Sequence, residues 1–132
     1  MAESANAAFV RRTYELINAG ELEAMVKGFE PGFEWHPDEL APGQTPRRTA
    51  DEVKLAVDDF TGAFAEFRTE VEELIEEGDQ VIAVVRHVAR VGGGDVERRE
   101  THLWTFAAGR PRSLREFEER DAALAVARRA AR

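Results

Sequence analysis

The stretch Glu100-Thr101-His102-Leu103-Trp104-Thr105-Phe106 decides the fold of this chain. Side chains of a strand alternate between two faces, so His102, Trp104 and Phe106 are expected to lie together on one face. Gly109 then predicts a tight turn into a further strand. A titratable group beside two large aromatic side chains is typical of a small-molecule pocket. The stretch therefore predicts a strand pair that lines such a pocket.

The composition predicts one soluble globular domain. The chain has 132 residues, of which 43% are hydrophobic and 33% charged, and no apolar run approaches the ~20 residues that cross a bilayer. The net charge of −8 argues against nucleic acid as a partner, because such partners are bound by clustered Lys and Arg. The absence of cysteine excludes disulfides and thiol chemistry. The lack of cysteine and an N-terminus unlike a signal peptide together predict a cytoplasmic location.

The flanking sequence predicts an α+β fold in a single domain, 1–132. Apolar spacing predicts helices over 4–18 and 22–27, a short strand over 33–36, a loop over 38–48 and a third helix that Thr49 and Glu52 open as a capping box. The spacing of the apolar residues then changes to a period of two, which predicts a four-stranded antiparallel meander. Asp121 is predicted to cap a last helix that ends near Arg129. This order predicts a curved antiparallel sheet with the N-terminal helices on its concave face and a short C-terminal helix.

The glycine-rich turn at 92–95 sets the predicted strand register. If Val91 pairs with Val96, the residues opposite His102, Trp104 and Phe106 are, in that order, Val85, Ala83 and Val81. Val71 and Ile75 join this face. The other face then carries an apolar set, Leu74, Ile82, Val84, Val88 and Leu103. An apolar face away from the helices needs a cover, which predicts a homodimer through the outer sheet face; a one-residue slip would exchange the two faces.

The helix order, the His-x-Trp-x-Phe strand, the glycine turn and the closing Arg120-Asp121-Ala122-Ala123-Leu124 together resemble the SnoaL-like branch of the nuclear transport factor 2-like superfamily. The resemblance covers essentially the whole chain. The superfamily includes ketosteroid isomerases, polyketide cyclases, scytalone dehydratase and limonene epoxide hydrolase. The resemblance implies a cone-shaped α+β fold, a pocket between the helices and the concave sheet, and usually a homodimer. It leaves the reaction open, because this fold carries many activities.

The resemblance also assigns roles to single positions. His36 is similar in place to the general-base Asp of ketosteroid isomerase, and His102 stands where that enzyme has an oxyanion-hole Asp. The tyrosine of the isomerase falls near Thr13, with Tyr14 one position off, so steroid isomerisation is not expected. The Arg-x-Asp of limonene epoxide hydrolase reads Glu100-Thr101-His102 here, which argues against epoxide hydrolysis.

His36, His102 and Glu116 are the predicted catalytic residues. Imidazole titrates near neutrality and can both take and give a proton, and strand parity puts Glu116 on the pocket side. Polyketide cyclases use a pocket acid, which Glu116 resembles, and the two pocket histidines of scytalone dehydratase are similar in type to His36 and His102. In the structural alternative, the histidines only form hydrogen bonds and Glu116 pairs with Arg99 or Arg115 at the surface.

The predicted ligand-binding residues are aromatic, namely Trp35, Phe60, Phe64, Trp104 and Phe106. Core packing is the alternative for Phe60 and Phe106, whereas the indole N–H of Trp104 needs a partner when buried. For His87, the pocket rim and simple packing both stay open. The sequence contains no His-x-His or His-Glu-x-x-His spacing, so no metal and no cofactor are predicted.

The function predicted from these residues is binding of a small apolar ligand with a carbonyl or polycyclic framework. An enzyme of this kind would be a cofactor-free isomerase, cyclase or dehydratase that works by acid–base proton transfer. The alternatives are a non-catalytic ligand-binding or dimeric interaction module of the same fold, and an assembly scaffold that works through the outer sheet face. An open cavity with a polar network favours the first interpretation.

Overall fold

A computed structural model describes residues 3–37, 45–64 and 66–130. The elements are α1 (Ala5–Asn18), α2 (Leu22–Lys27), β1 (Glu34–His36), α3 (Ala50–Gly62), β2 (Glu66–Glu77), β3 (Gln80–Val91), β4 (Gly94–Ala107), β5 (Arg110–Phe117) and α4 (Arg120–Ala130). The α+β fold class predicted from the sequence is confirmed, with the order of elements as expected. Most of the predicted loop over 38–48 lies outside the described residues.

Short-range hydrogen bonds fix the helix ends. The Ser4 hydroxyl accepts the N–H of Ala7 at 3.1 Å to open α1, and Gly20 follows the helix with a φ of +74°. Thr49 opens α3 by accepting the N–H of Glu52 at 3.1 Å, as the capping box predicts. In α4 the predicted cap, Asp121, lies inside the first turn, because the helix begins at Arg120. Among the described residues, no helix is both long and apolar enough to cross a membrane.

The sheet has the strand order β1-β5-β4-β3-β2, and only β1 runs parallel to its neighbour. The predicted pairing of Val91 with Val96 is wrong by two residues. The chain reverses over two glycines, with a φ of +62° at Gly92, so Val91 pairs with Gly94. Ala83 therefore lies opposite His102, and Val81 opposite Trp104. A shift by an even number of residues leaves every side chain on its predicted face.

A β-bulge in β2 places Leu74 and Ile75 on the faces opposite to those predicted. The register shifts between Val71 and Glu73, and an extra residue in one strand reverses the parity beyond it. Val71 packs on the concave side as predicted, but Leu74 follows it there and Ile75 turns to the outer side. The assignments of Leu74 and Ile75 are therefore wrong, since the alternation assumed an unbroken strand.

The main core lies between the N-terminal helices and the concave face of the sheet. Its fully buried members come from both layers: Val10, Met25, Val53, Val81, Val85, Trp104 and Leu114. Gly28 allows α2 to approach α1 closely, because a β-carbon there would lie 2.5 Å from Cζ of Phe9. Phe9 in turn meets the ring of Phe106 edge-on, with 5.9 Å between centroids. This core holds α1 against the sheet and so fixes the position of Tyr14.

Helix α4 packs on the outer face of the sheet. Ile82 and Leu103 are buried beneath its small and apolar residues, Ala123, Leu124 and Ala127. Next to this cluster the outer face carries an ion-pair network in which Arg86 joins Glu70 and Glu97. The bare apolar face expected from the sequence is therefore not found among the described residues. The physical reason for a homodimer through this face is weakened accordingly.

Candidate functional site: a cavity with a hydrogen-bonded polar wall

A cavity of about 660 Å³ opens between the helices and the concave face of the sheet. One part of its wall is aromatic and contains Trp35, Phe60, Phe64 and Phe67. A second part is polar and consists of Tyr14, Thr69, His87, Glu100, His102 and Glu116. A volume of this order suits a drug-sized ligand, and apolar walls with few converging polar groups are usual in such sites. The cavity therefore offers both a binding surface and reactive groups.

Five of these six polar residues, all except Glu116, form one continuous chain of hydrogen bonds. The Tyr14 hydroxyl lies 2.6 Å from Nδ1 of His102, whose Nε2 lies 2.6 Å from Oε1 of Glu100. The same Glu100 oxygen lies 2.7 Å from Nε2 of His87, and Nδ1 of His87 lies 2.9 Å from the hydroxyl of Thr69. Adjacent strands create this chain: Thr69, His87 and Glu100 occupy the concave faces of β2, β3 and β4.

Glu100 is the charged centre of this chain. Burial alone would raise the pKa of its carboxyl, but the positive charge and N–H of His102, aided by His87, outweigh burial and hold that pKa far below its usual value. Burial would likewise lower the pKa of His102, yet the Glu100 carboxylate outweighs it and raises the pKa of His102 above its usual value. The two shifts have opposite signs, and both favour an imidazolium beside a carboxylate.

Tyr14 connects the polar chain to the core. The indole N–H of Trp104 donates to the Tyr14 oxygen at 3.0 Å, and both side chains are almost completely buried. Burial raises the pKa of Tyr14 well above its usual value, so the phenol keeps its proton. When His102 is an imidazolium, its Nδ1–H also donates to the Tyr14 oxygen. Both acceptor positions are then filled, and the Tyr14 proton is left to point towards the cavity that it lines.

Glu116 supplies a second carboxyl, on β5 beside His102 in the cross-strand register. Its Oε2 accepts the indole N–H of Trp35 at 3.0 Å. Burial raises the pKa of Glu116 above its usual value, although His102 offsets part of this effect. One carboxyl of the cavity therefore stays ionised, while the other is shifted towards accepting a proton. Two titratable groups with pKa values pushed apart are the usual mark of an acid–base site.

The structure brings some of the predicted site residues together and separates others. His102, Glu116, Trp35, Phe60 and Phe64 line the cavity. His36 does not, because it follows Trp35 on β1 and so points to the opposite side, where its Nε2 lies 4.0 Å from Glu34. Phe106 packs in the core against Phe9, and Trp104 meets the site only through its bond to Tyr14. The structure thus places His36 and Phe106 outside the site.

Several cavity residues, among them Glu100, His87 and Tyr14, were not among the predicted site residues. Glu100 stands two residues before His102 on the same strand, so parity alone was enough to find it. His87 was placed on the correct strand face without a role. Tyr14 offered no comparable signal, because its direction depends on how α1 rotates against the sheet.

The fold and the cavity define a member of the nuclear transport factor 2-like superfamily of α+β domains, which is known for small-molecule binding. The model of the SnoaL-like domain family matches residues 10–114, so the chain belongs to that family. No curated protein matches the sequence.

Several solved structures share this fold over nearly the whole chain. Bal32a, from a soil-derived mobile gene cassette, is 21% identical over 91% of this chain and 93% of its own, with a TM-score of 0.77. TerC, co-crystallised with polyporic acid, is 18% identical over 95% and 99%, with a TM-score of 0.75. A candidate SnoaL-like polyketide cyclase from Jannaschia sp. CCS1 is 18% identical over 94% of both chains, with a TM-score of 0.74. At these identities the likeness shows the fold alone.

Proposed function

We propose that this protein binds an apolar carbonyl or polycyclic compound in the cavity and catalyses its isomerisation, cyclisation or dehydration by proton transfer without an organic cofactor. The observation that carries the proposal is the unbroken chain Tyr14–His102–Glu100–His87 along one wall, with the Glu116 carboxyl beside it. A histidine that serves only to pack the core needs a single hydrogen-bond partner, not a chain of titratable groups along a cavity. TerC, which shares this fold, was co-crystallised with polyporic acid, and this supports an organic ligand for the present cavity.

The arrangement divides the chemistry between two groups of residues. Glu116, when ionised, takes a proton from a carbon next to the substrate carbonyl, and its raised pKa makes it a stronger base than an exposed carboxylate. The electron pair moves to the carbonyl oxygen, where the Tyr14 O–H donates a hydrogen bond to the developing negative charge. His102 stands behind Tyr14 and strengthens that donor. Glu116 then returns the proton at another carbon.

The proposal is tested by deuterium exchange, which needs no knowledge of the natural product. Aromatic ketones and β-diketones are incubated with the protein in D₂O without added cofactors, and NMR follows deuterium uptake next to the carbonyl. The wild-type protein should accelerate exchange for a subset of compounds, and Glu116→Gln should lower the rate by a factor of ~10²–10⁴, the usual contribution of a general base.

His36→Ala is the matched control, because this histidine lies outside the cavity and should leave the exchange rate unchanged. The proposal fails if Glu116→Gln exchanges the compounds as fast as the wild type. Loss of exchange in both variants would also contradict it, since the rate would then not depend on the cavity.

A homodimer and a cytoplasmic location remain predictions. Light scattering decides the first: on the outer face Val84 is partly exposed beside the ion pairs whereas Val88 is already buried, and a monomer at high concentration would refute pairing through this face. Cell fractionation decides the second.

A further inference from the structure

The three central members of the polar wall converge on one point from two strands. One ligand atom from each of His87, Glu100 and His102 lies within 4.8 Å of the other two, and Oε1 of Glu100 lies 2.7 Å from Nε2 of His87 and 2.6 Å from Nε2 of His102. Their side chains are only 11%, 14% and 3% exposed, and all three line the cavity. Two imidazoles and one carboxylate form a common set of protein ligands for first-row transition metals, and such a set leaves further coordination positions open. Those positions would face the cavity.

We infer that His87, Glu100 and His102 form a binding site for a divalent first-row transition-metal ion. This inference goes beyond the proposed proton-transfer function and does not depend on it. The nitrogen and oxygen ligands, with no cysteine in the chain, select ions of the Zn²⁺, Fe²⁺ or Co²⁺ type.

The residues behind the ligands support this site. A metal-binding imidazole normally donates its second N–H to a neighbouring group, which fixes the ring and frees the other nitrogen. Thr69 stands 2.9 Å from Nδ1 of His87, and Tyr14 stands 2.6 Å from Nδ1 of His102. Both hydroxyls can accept an N–H. Both Nε2 atoms can therefore offer lone pairs to an ion, with their rings already held in place.

The geometry requires one small adjustment. Metal bonds of ~2.0–2.2 Å at angles of 90–109° separate neighbouring ligand atoms by roughly 2.9–3.4 Å. The present separations from Glu100 are 2.6 and 2.7 Å, as expected where protons occupy the positions of the ion. Rotation of the Glu100 carboxylate and of the two imidazole side chains opens the site. His87 lies on β3 and the other two ligands on the neighbouring β4, so we expect these side-chain movements to suffice.

The test is a titration of chelator-treated protein with Co²⁺, followed by visible absorption and calorimetry, with Zn²⁺ as competitor. The wild type should bind one ion, and Zn²⁺ should displace it. Loss of a residue that supports a ligand costs ~10–100-fold in metal affinity, so Thr69→Val should weaken binding within that range. His87→Ala removes a ligand itself and should weaken binding by more. His36→Ala is the matched control for adventitious binding by a half-exposed histidine, and its affinity should equal that of the wild type.

The absence of saturable binding would overturn the inference, as would equal affinity in the wild type and His87→Ala. Loss of binding in His36→Ala would locate the ion elsewhere and have the same consequence. Circular dichroism checks that each variant folds, and Glu100→Gln, which keeps the shape of the side chain, replaces His87→Ala if that variant does not. Because the titration measures no turnover, its outcome is independent of the deuterium-exchange result.

Discussion

Removal of the Tyr14 hydroxyl tests whether the polar wall is a connected network. Tyr14→Phe keeps the ring but takes away the acceptor of the Trp104 indole N–H and the partner of His102 Nδ1. Trp104 is 1% and His102 2% exposed, so water has little access to either. A buried polar group left without a partner costs about 1–3 kcal/mol. We expect a loss of about 2–4 kcal/mol in the free energy of unfolding, because two groups are affected.

For a domain of this size the loss corresponds to a fall in Tm of roughly 6–15 °C, measured by urea and thermal unfolding with circular dichroism. A double-mutant cycle with Trp104→Phe isolates the indole bond, because Tyr14→Phe should cost about 1–2 kcal/mol less when no indole N–H remains to be orphaned. Equal costs in both backgrounds, or a Tyr14→Phe variant as stable as the wild type, would refute this reasoning.

Three further substitutions test the site and the fold. Burial raises the pKa of Glu116, so its contribution to stability falls as the pH rises from the unfolded-state pKa of about 4.3 through the folded value. Glu116→Gln should therefore match the wild type in urea unfolding at pH 4 and exceed it by about 0.5–2 kcal/mol at pH 8, and a difference independent of pH would contradict this. Ala108 has a φ of +52° in the β4–β5 turn, so Ala108→Gly should raise stability by about 0.5–1 kcal/mol; a lower Tm would count against that strain. Gly28→Ala drives a β-carbon into Phe9 and should cost about 1–3 kcal/mol, whereas Gly62→Ala, with nothing within 4 Å, should cost nothing. Equal stability of these two glycine variants would show that Phe9 moves aside freely.

The alternation of side chains along β4 was enough to place the site, even with the register wrong. The shift of two residues in the β3–β4 hairpin preserves parity, so His102 stays on the cavity face, and there Glu116 is its cross-strand neighbour on β5. The bulge after Val71 is different, since it depends on how β2 must bend around the core and has no glycine or proline to mark it. His36 failed to reach the cavity for a related reason: a strand of three residues admits one inward side chain, and Trp35 takes it.

The outer face shows a second limit of reasoning from strands alone. The apolar residues there were expected to need a partner chain, but α4 folds back over Ile82 and Leu103. Its contact side is built from Ala123, Leu124 and Ala127, a stripe at helical spacing that is predictable in itself. Which layer that stripe would meet is a tertiary question, because both sheet faces offered apolar residues.

The two ends of the polar wall explain how one cluster can serve both proposals. Thr69 and Tyr14 end in hydroxyls, which can donate or accept by rotating a single bond. Each imidazole can therefore gain or lose its Nδ1 proton without leaving a partner unsatisfied, so the number of protons on the wall can change while the heavy atoms stay in place. That property suits a proton-transfer centre, since little reorganisation accompanies the step. When the hydroxyls of Thr69 and Tyr14 both accept an Nδ1–H, the Nε2 atoms of the two imidazoles carry lone pairs that face the same carboxylate oxygen. These three electron-rich atoms repel one another, and a bound cation turns that repulsion into attraction.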